Sequence, residues 1–153
     1  MTYRIKGPVP EDEYLVPMGV ADVKRVGTDV TVVATSSMVH VALEAAEMLE
    51  KEGISLEVVD PRTLKPLDMD TIVASVQKTH RALVMDEGYR SFGATAEIAA
   101  EIAERAFDYL DAPVKRYAGM DVPVPFSPVL EDATIPDARG VVDRVHELLE
   151  GVR

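Results

Sequence analysis

The segment VTVVATSSMVHVALEAAEMLEKEGISLEVV, residues 30–59, decides the fold. Its first six residues, Val30–Thr35, are mostly β-branched and apolar on both faces, which is typical of a strand buried inside a parallel sheet. Apolar residues then recur at helical spacing, and Ser36–Ser37 are placed to cap the start of that helix. A second strand follows at Leu56–Val59. The segment therefore predicts a strand, a helix and a second strand in succession.

The same alternation continues on both sides of this segment. Val20–Val26 is a weakly patterned strand, and Gly27–Thr28 is expected to turn it back antiparallel against the strand at Val30. The later predicted elements are a helix from its cap at Asp68 through Thr79, a strand at Ala82–Met85, a helix at Thr95–Phe107 with Ile98, Ala99, Ile102, Ala103 and Ala106 inward, a strand at Val114–Tyr117 and a last helix capped by Asp137.

This order of elements predicts an α/β fold, a three-layer α/β/α sandwich. We expect its sheet to be mostly parallel and roughly five-stranded, with one antiparallel edge strand. Residues 1–19 contain three prolines and an acidic run but no periodicity, so they predict an extended N-terminal arm or linker. The predicted domain then covers residues 20–153.

Composition disfavours several classes of function. A net charge of -11 opposes binding to nucleic acid, whose phosphates need a basic face, and to anionic membrane surfaces. The chain has no cysteine, which excludes disulfides, thiolate nucleophiles and zinc–thiolate sites. No apolar run approaches the roughly 20 residues of a spanning helix, and the first residues lack the apolar stretch of a signal peptide. We therefore expect a cytoplasmic protein with neither nucleic-acid nor membrane partners.

The loops after the predicted strands carry few reactive groups. Ser37 and His40 form a candidate nucleophile and base, but no G-x-S-x-G elbow surrounds the serine, and a serine before a helix is more often a cap. Asp86–Glu87 are adjacent in a strand and should point to opposite sides, so helix capping or a salt bridge to Arg90 is favoured over acid–base catalysis. The three histidines are not at metal-ligand spacing. No catalytic, cofactor-binding or metal-binding residue is predicted.

The connector VPVPFSP, residues 122–128, differs from these loops. Pro123, Pro125 and Pro128 favour an extended backbone that exposes apolar side chains, including Phe126. A rigid apolar strap of this kind commonly packs on a neighbouring subunit or domain. The alternative is an ordinary crossover that lies on its own domain. These four residues are our candidate interface residues.

Two long segments carry a family resemblance. GTDVTVVATSSMVHVALEAAEMLEKEGISLEVVDPRTLKPLD, residues 27–68, and EIAERAFDYLDAPVKRYAGMDVPVPFSPVLED, residues 101–132, closely resemble the C-terminal domain of the β subunit of thiamine-diphosphate-dependent 2-oxo acid dehydrogenases. This transketolase-type domain is shared by the pyruvate, branched-chain and acetoin enzymes. The resemblance extends from about Tyr3 to Leu149, and VPFSPVLED is most similar to the acetoin and pyruvate types.

The resemblance implies assembly and docking rather than catalysis. In the family, thiamine diphosphate and magnesium are held by a preceding pyrimidine-binding domain, which we do not recognise before Tyr3, together with an α subunit. The C-terminal domain forms a homodimeric contact within the α2β2 heterotetramer and docks the subunit-binding domain of the dihydrolipoyl acyltransferase. Asp111, in LDAPVKR, stands at the position of an acidic docking contact. The parent enzyme would decarboxylate a 2-oxo acid, or cleave acetoin, and transfer the acyl group to lipoyl-lysine.

Two alternatives remain open on the sequence alone. One is a stand-alone regulatory module that binds a small molecule near Ser36, Asp86 and Gly88, at the carboxyl edge of the sheet. The other is a small hydrolase that uses Ser37 and His40.

Overall fold

Five strands form one sheet in the spatial order β1, β3, β2, β4, β5 in the computed structural model, which describes residues 7–151. The elements are β1 (Asp22–Arg25), β2 (Val30–Ala34), α1 (Met38–Glu50), β3 (Leu56–Asp60), α2 (Met69–Thr79), β4 (Ala82–Tyr89), α3 (Ala94–Ala106), a 3₁₀ turn (Phe107–Tyr109), β5 (Lys115–Gly119), α4 (Pro128–Asp132) and α5 (Ala138–Glu150). Neighbouring strands from β3 to β5 are parallel, and β1 is antiparallel to β3 at one edge. The predicted fold class is confirmed.

The central strands are apolar on both faces because a pair of helices covers each face. Along β2, Val30 and Val32 are buried with side chains of α1 and α5, whereas Val33 is buried with side chains of α2 and α3. All five residues of β2 are buried. This arrangement explains why its sequence lacks the alternation of a half-exposed strand.

The predicted partner of the first strand was wrong. β1 pairs with β3, with Asp22 opposite Asp60 and Val23 opposite Val59, and not with β2. The chain between β1 and β2 crosses the amino end of β3, where a Cβ on Gly27 would overlap the backbone of Leu56. The chain therefore passes over β3 at Gly27 instead of forming a tight hairpin between β1 and β2. Only glycine fits at this position, because any Cβ would overlap the backbone of β3.

The N-terminal segment precedes the first strand without regular structure. Residues 7–19 form no helix or strand, and their side chains are almost all exposed. Residues 1–6 and 152–153 lie outside the described part of the chain, so the predicted arm is described only from residue 7. The boundary at residue 20 stays a prediction.

Two of the predicted helix caps are confirmed. The Asp137 carboxylate accepts a hydrogen bond of 2.8 Å from the Gly140 N–H. The Asp68 carboxylate accepts 3.1 Å from the Thr71 N–H and, with its other oxygen, 2.9 Å from the Ala21 N–H. Asp68 therefore joins the start of α2 to the segment that leads into β1. These hydrogen bonds, with that from Ala21 the largest, lower the pKa of Asp68.

A second internal link is the buried carboxylate of Glu57, which is 2% exposed on β3. It accepts hydrogen bonds from the Ser75 hydroxyl, the Lys78 ammonium and the Gly27 N–H. The Ser75 hydroxyl is also 2.7 Å from that of Thr31 on β2. A buried charge is stable only when it is paired and hydrogen-bonded in this way.

We expect Glu57→Gln to lower the free energy of unfolding by about 2 kcal/mol, because an amide cannot replace a carboxylate that accepts from three donors. Urea denaturation would measure the change. The matched control is Glu50→Gln, which changes a side chain that is 66% exposed in its ion pair with Arg25 and should have little effect. Equal effects of the two substitutions would contradict the role assigned to Glu57.

The lowered pKa of Asp68 predicts a specific acid sensitivity. Its contribution to stability is complete above the unfolded-state pKa of about 3.9 and is lost as the pH falls through the lower folded-state pKa. In the Asp68→Asn variant, the free energy of unfolding should therefore fall less steeply below about pH 4 than in the original chain. Urea denaturation midpoints measured at a series of pH values would show this. Asp108→Asn, which removes a carboxylate with no hydrogen bond to any described residue, should keep the decline of the original chain.

Candidate partner-docking surface

The carboxyl ends of β2 and β4 meet at a cluster of hydroxyl and carboxylate groups. The Thr35 hydroxyl donates to Asp86 at 2.8 Å, and the hydroxyls of Ser36 and Ser37 both donate to Glu87. The ladder between β4 and β5 shifts its register after Asp86, so the side chains need not alternate as in a regular strand. The parallel pairing of β2 with β4 thus brings together residues about 50 positions apart.

Several local expectations at this edge were wrong. Ser37 is the residue before α1, but its side chain makes no cap hydrogen bond. Asp86 and Glu87 neither cap α3 nor form a salt bridge with Arg90 among the described residues. Both carboxylates instead accept hydrogen bonds from the loop after β2, because the two strands are neighbours. The sequence does not specify that neighbour relation.

This geometry gives no support to the hydrolase. The Ser37 hydroxyl is engaged by Glu87, and within residues 7–151 no hydrogen bond joins it to the exposed His40 side chain. A cavity of about 280 Å³ next to the cluster is lined by Ser36 and Asp86, but not by Gly88. Ser36 and Asp86 already have hydrogen-bond partners within the chain.

The described residues contain neither a candidate metal-ligand cluster nor a candidate membrane-spanning helix. Between residues 7 and 151, no group of three or more His, Cys, Asp or Glu side chains is placed to hold a metal ion. No helix in that part of the chain combines the length and the apolar character needed to cross a membrane.

All three phenylalanines of the chain lie on the surface. Phe92 and Phe126 are fully exposed, and Phe107 is 74% exposed. Phenylalanine is normally among the most buried residues, and exposed apolar side chains that cluster mark contact sites for other molecules. Phe107 and Phe92 were not singled out from the sequence.

Phe126 belongs to a group that we call the connector patch. Its members are the exposed apolar residues of the connector and of α4, namely Val122, Val124, Phe126, Val129 and Leu130. Pro123 and Pro128 are exposed, and Pro125 is half-buried. The structure thus places the four candidate interface residues on one exposed strap, and their contact with a partner stays a prediction.

The connector is fixed at its start by Asp121. The carboxylate of Asp121 accepts 3.0 Å from the Ser91 N–H and 2.8 Å from the Ser91 hydroxyl. These hydrogen bonds lower the pKa of Asp121, and they tie the connector to the loop that carries Phe92. Phe92 itself has a left-handed backbone with φ of 57°, an uncommon conformation for a large side chain. Two fully exposed phenylalanines are therefore presented by linked loops.

Asp111 lies at the other end of the sheet, before β5. Its side chain is 53% exposed and forms a 3.0 Å salt bridge with Arg81, while its N–H donates to the His80 carbonyl at 2.9 Å. One carboxylate oxygen of Asp111 is thus paired with Arg81, and the Asp111 side chain remains accessible to water. Its docking role stays a prediction.

An apolar groove of about 770 Å³ lies next to Asp111. Ala99, Ala103 and Phe107 line one side of it. The sequence placed Ala99 and Ala103 inward, but Ala103 is exposed and Ala99 is only half-buried. Ala99 still packs against the core, so the inward prediction was wrong for Ala103, which faces solvent where periodicity predicted core.

Comparison with known proteins identifies the family of this chain. A model of the family described as the transketolase C-terminal domain matches residues 19–141. The chain is 49% identical to the β subunit of the acetoin:2,6-dichlorophenolindophenol oxidoreductase of Bacillus subtilis over 148 residues, which are 97% of this chain and 43% of that protein. It is also 49% identical to the β subunit of the pyruvate dehydrogenase E1 component of Bacillus subtilis, over 93% of this chain and 43% of that protein. The chain therefore spans less than half the length of these relatives.

Solved structures show the same relationship. A split-gene transketolase, described as an inactive β4 tetramer, superposes with a TM-score of 0.76 and 34% identity, over 90% of this chain and 45% of that chain.

Proposed function

The chain belongs to the transketolase C-terminal domain family, and from that premise we propose that it is the assembly and docking domain of a thiamine-diphosphate-dependent dehydrogenase β subunit of the pyruvate or acetoin type. The observation that carries this proposal is the alignment of almost the whole chain with β subunits of both types. The parent enzyme decarboxylates a 2-oxo acid, or cleaves acetoin, and passes the acyl group to lipoyl-lysine.

In this proposal the domain supplies no reacting group. Thiamine diphosphate and magnesium belong to the rest of the parent enzyme, formed by the other part of the β subunit and by the α subunit. Between residues 7 and 151, no group of three or more His, Cys, Asp or Glu side chains is placed to hold the magnesium, an ion that prefers several oxygen ligands.

The connector patch is the proposed contact with a second β subunit. Prolines fix its backbone before association, so little conformational entropy is lost when it packs. Phe126 is fully exposed in the single chain and is the largest apolar side chain of the patch. Aromatic residues of this kind are frequent energetic centres of protein interfaces.

Asp111 is the proposed docking group for the subunit-binding domain of the acyltransferase. Its open carboxylate suits a basic side chain, and the apolar groove next to it offers area for the aliphatic part of the same partner. Because Asp111 precedes β5 and the connector patch follows it, the two surfaces lie at opposite ends of the sheet. The proposed dimer contact and the proposed docking contact therefore use different surfaces.

We expect Phe126→Ser to weaken self-association of the chain by about tenfold or more, since a central aromatic contact is lost. Sedimentation equilibrium over a range of concentrations measures this. Phe107→Ser is the matched control, because it makes the same change on an exposed phenylalanine outside the connector patch. A chain that stays monomeric at all concentrations, or a Phe126→Ser variant that associates like the original, would contradict the proposed contact.

Asp111→Ala should weaken the affinity of the chain for an isolated subunit-binding domain by about tenfold, the loss expected for one charged contact at an interface. Titration calorimetry at low salt measures the affinity. Asp108→Ala removes an exposed carboxylate three residues away and should leave it unchanged. If Asp111→Ala binds as tightly as the original, the docking role of Asp111 is wrong.

A further inference from the structure

Two consecutive residues from another part of the chain hold Asp111 in place. His80 and Arg81 connect α2 to β4. The His80 carbonyl accepts a hydrogen bond of 2.9 Å from the Asp111 N–H, and the Arg81 guanidinium lies 3.0 Å from a carboxylate oxygen of Asp111. The backbone and the side chain of Asp111 are therefore fixed separately, by neighbouring residues of one connection.

His80 ends α2 in a left-handed conformation, with φ of 62°, and its N–H donates to the Val76 carbonyl at 2.7 Å. Its ring Nδ1 lies 2.8 Å from the Tyr109 carbonyl. Because a carbonyl oxygen only accepts, Nδ1 is the donor of this hydrogen bond. His80 thus binds the segment that leads to Asp111 through both its ring and its own carbonyl.

The residues on either side of Asp111 also fix its backbone. Leu110 packs against the part of the core that lies under α2 and α3. Ala112 is buried in the part that lies under α1 and α5. The Asp111 backbone is therefore anchored to both faces of the sheet, and the freedom that remains is rotation of its side chain.

The Asp111 carboxylate keeps its capacity to accept hydrogen bonds. The side chain is 53% exposed, and within residues 7–151 its one close polar contact is the salt bridge with Arg81. A carboxylate has several lone pairs, so one that is paired with Arg81 is still able to accept from a second cation. Arg81 therefore restricts the rotation of the carboxylate without occupying it fully.

Arg81 depends on Asp111 in turn. Its side chain is 26% exposed, and among the described residues Asp111 is its salt-bridge partner and its Nε has no hydrogen-bond partner. The Arg81 carbonyl accepts 2.9 Å from the Thr31 N–H, which fixes the backbone from which the guanidinium extends. A half-buried cation is stabilised by a carboxylate beside it, so this salt bridge constrains Asp111 more than a fully exposed one would.

We propose that Arg81 is a positioning residue of the docking site, which orients the Asp111 carboxylate toward a basic side chain of the subunit-binding domain. This inference rests on the proposed function, because it takes Asp111 as the docking group. Since the carboxylate is oriented before the partner arrives, less conformational entropy is lost on binding.

Arg81 also has an opposing effect, because its positive charge repels the cation of the partner. Salt separates the two effects. Repulsion between exposed charges is screened as the ionic strength rises, whereas the entropy lost in immobilising a side chain is not. Positioning should therefore outweigh repulsion more clearly at physiological than at low ionic strength.

Arg81→Met removes the cation and retains the apolar stem of the side chain. At physiological ionic strength it should weaken the affinity for an isolated subunit-binding domain by about threefold to tenfold, the range expected when one side chain has to be immobilised on binding. Titration calorimetry measures the affinity. Arg25→Met is the matched control, because Arg25 is 25% exposed, pairs with an exposed glutamate and also has an Nε without a hydrogen-bond partner among the described residues. It should leave the affinity unchanged.

Three further measurements separate positioning from a general structural effect. Arg81→Lys restores a cation near Asp111 and should bind more tightly than Arg81→Met. In an Asp111→Asn background, Arg81→Met should cause no further loss, because the group it orients is no longer charged. The ratio of the dissociation constants of Arg81→Met and the original chain should increase from low to physiological ionic strength.

The outcomes distinguish this inference from the docking role itself. If Asp111→Ala weakens binding but Arg81→Met binds as tightly as the original chain, Arg81 is not a positioning residue and the docking role of Asp111 stands. An equal loss from Arg81→Met in the Asp111→Asn background also overturns the inference, because Arg81 then acts without Asp111. If Asp111→Ala binds as tightly as the original chain, the docking role is wrong and the inference falls with it.

Discussion

The parallel pairing of β2 with β4 is the constraint on which the rest of the structure depends. Both strands are buried on both faces, so helices must cover each side of the sheet. The same pairing brings the hydroxyls after β2 against Asp86 and Glu87 after β4. In α/β folds this edge usually holds the ligand. Here the polar groups of the edge form hydrogen bonds with one another.

The sequence predicted those parts of the fold that depend on neighbours along the chain. β-branched runs gave the central strands, and the caps at Asp68 and Asp137 follow from local hydrogen bonds within three residues. It did not predict contacts that depend on strand order. The pairing of β1 with β3 and the bonds from Ser37 to Glu87 join residues far apart in the chain, and no local pattern specifies them.

The sequence indicated the candidate interface residues and the candidate docking residue by different kinds of signal. Phe126 and the prolines stood out because their composition is unusual for a crossover, whereas Asp111 was found only through the family resemblance. Its salt bridge with Arg81 joins residues 30 positions apart. The exposure of Ala103 was missed because helical periodicity states which residues share a face, but not whether another element covers that face. Covering depends on tertiary packing.

The distribution of charge connects assembly with docking. A chain with a net charge of -11 repels its own copies, and this repulsion opposes any dimer at low salt. An apolar contact such as the connector patch does not relieve that repulsion. The same negative charge would attract a basic partner, such as the one proposed at Asp111. The charge that favours a basic partner therefore opposes a contact between two copies of the chain.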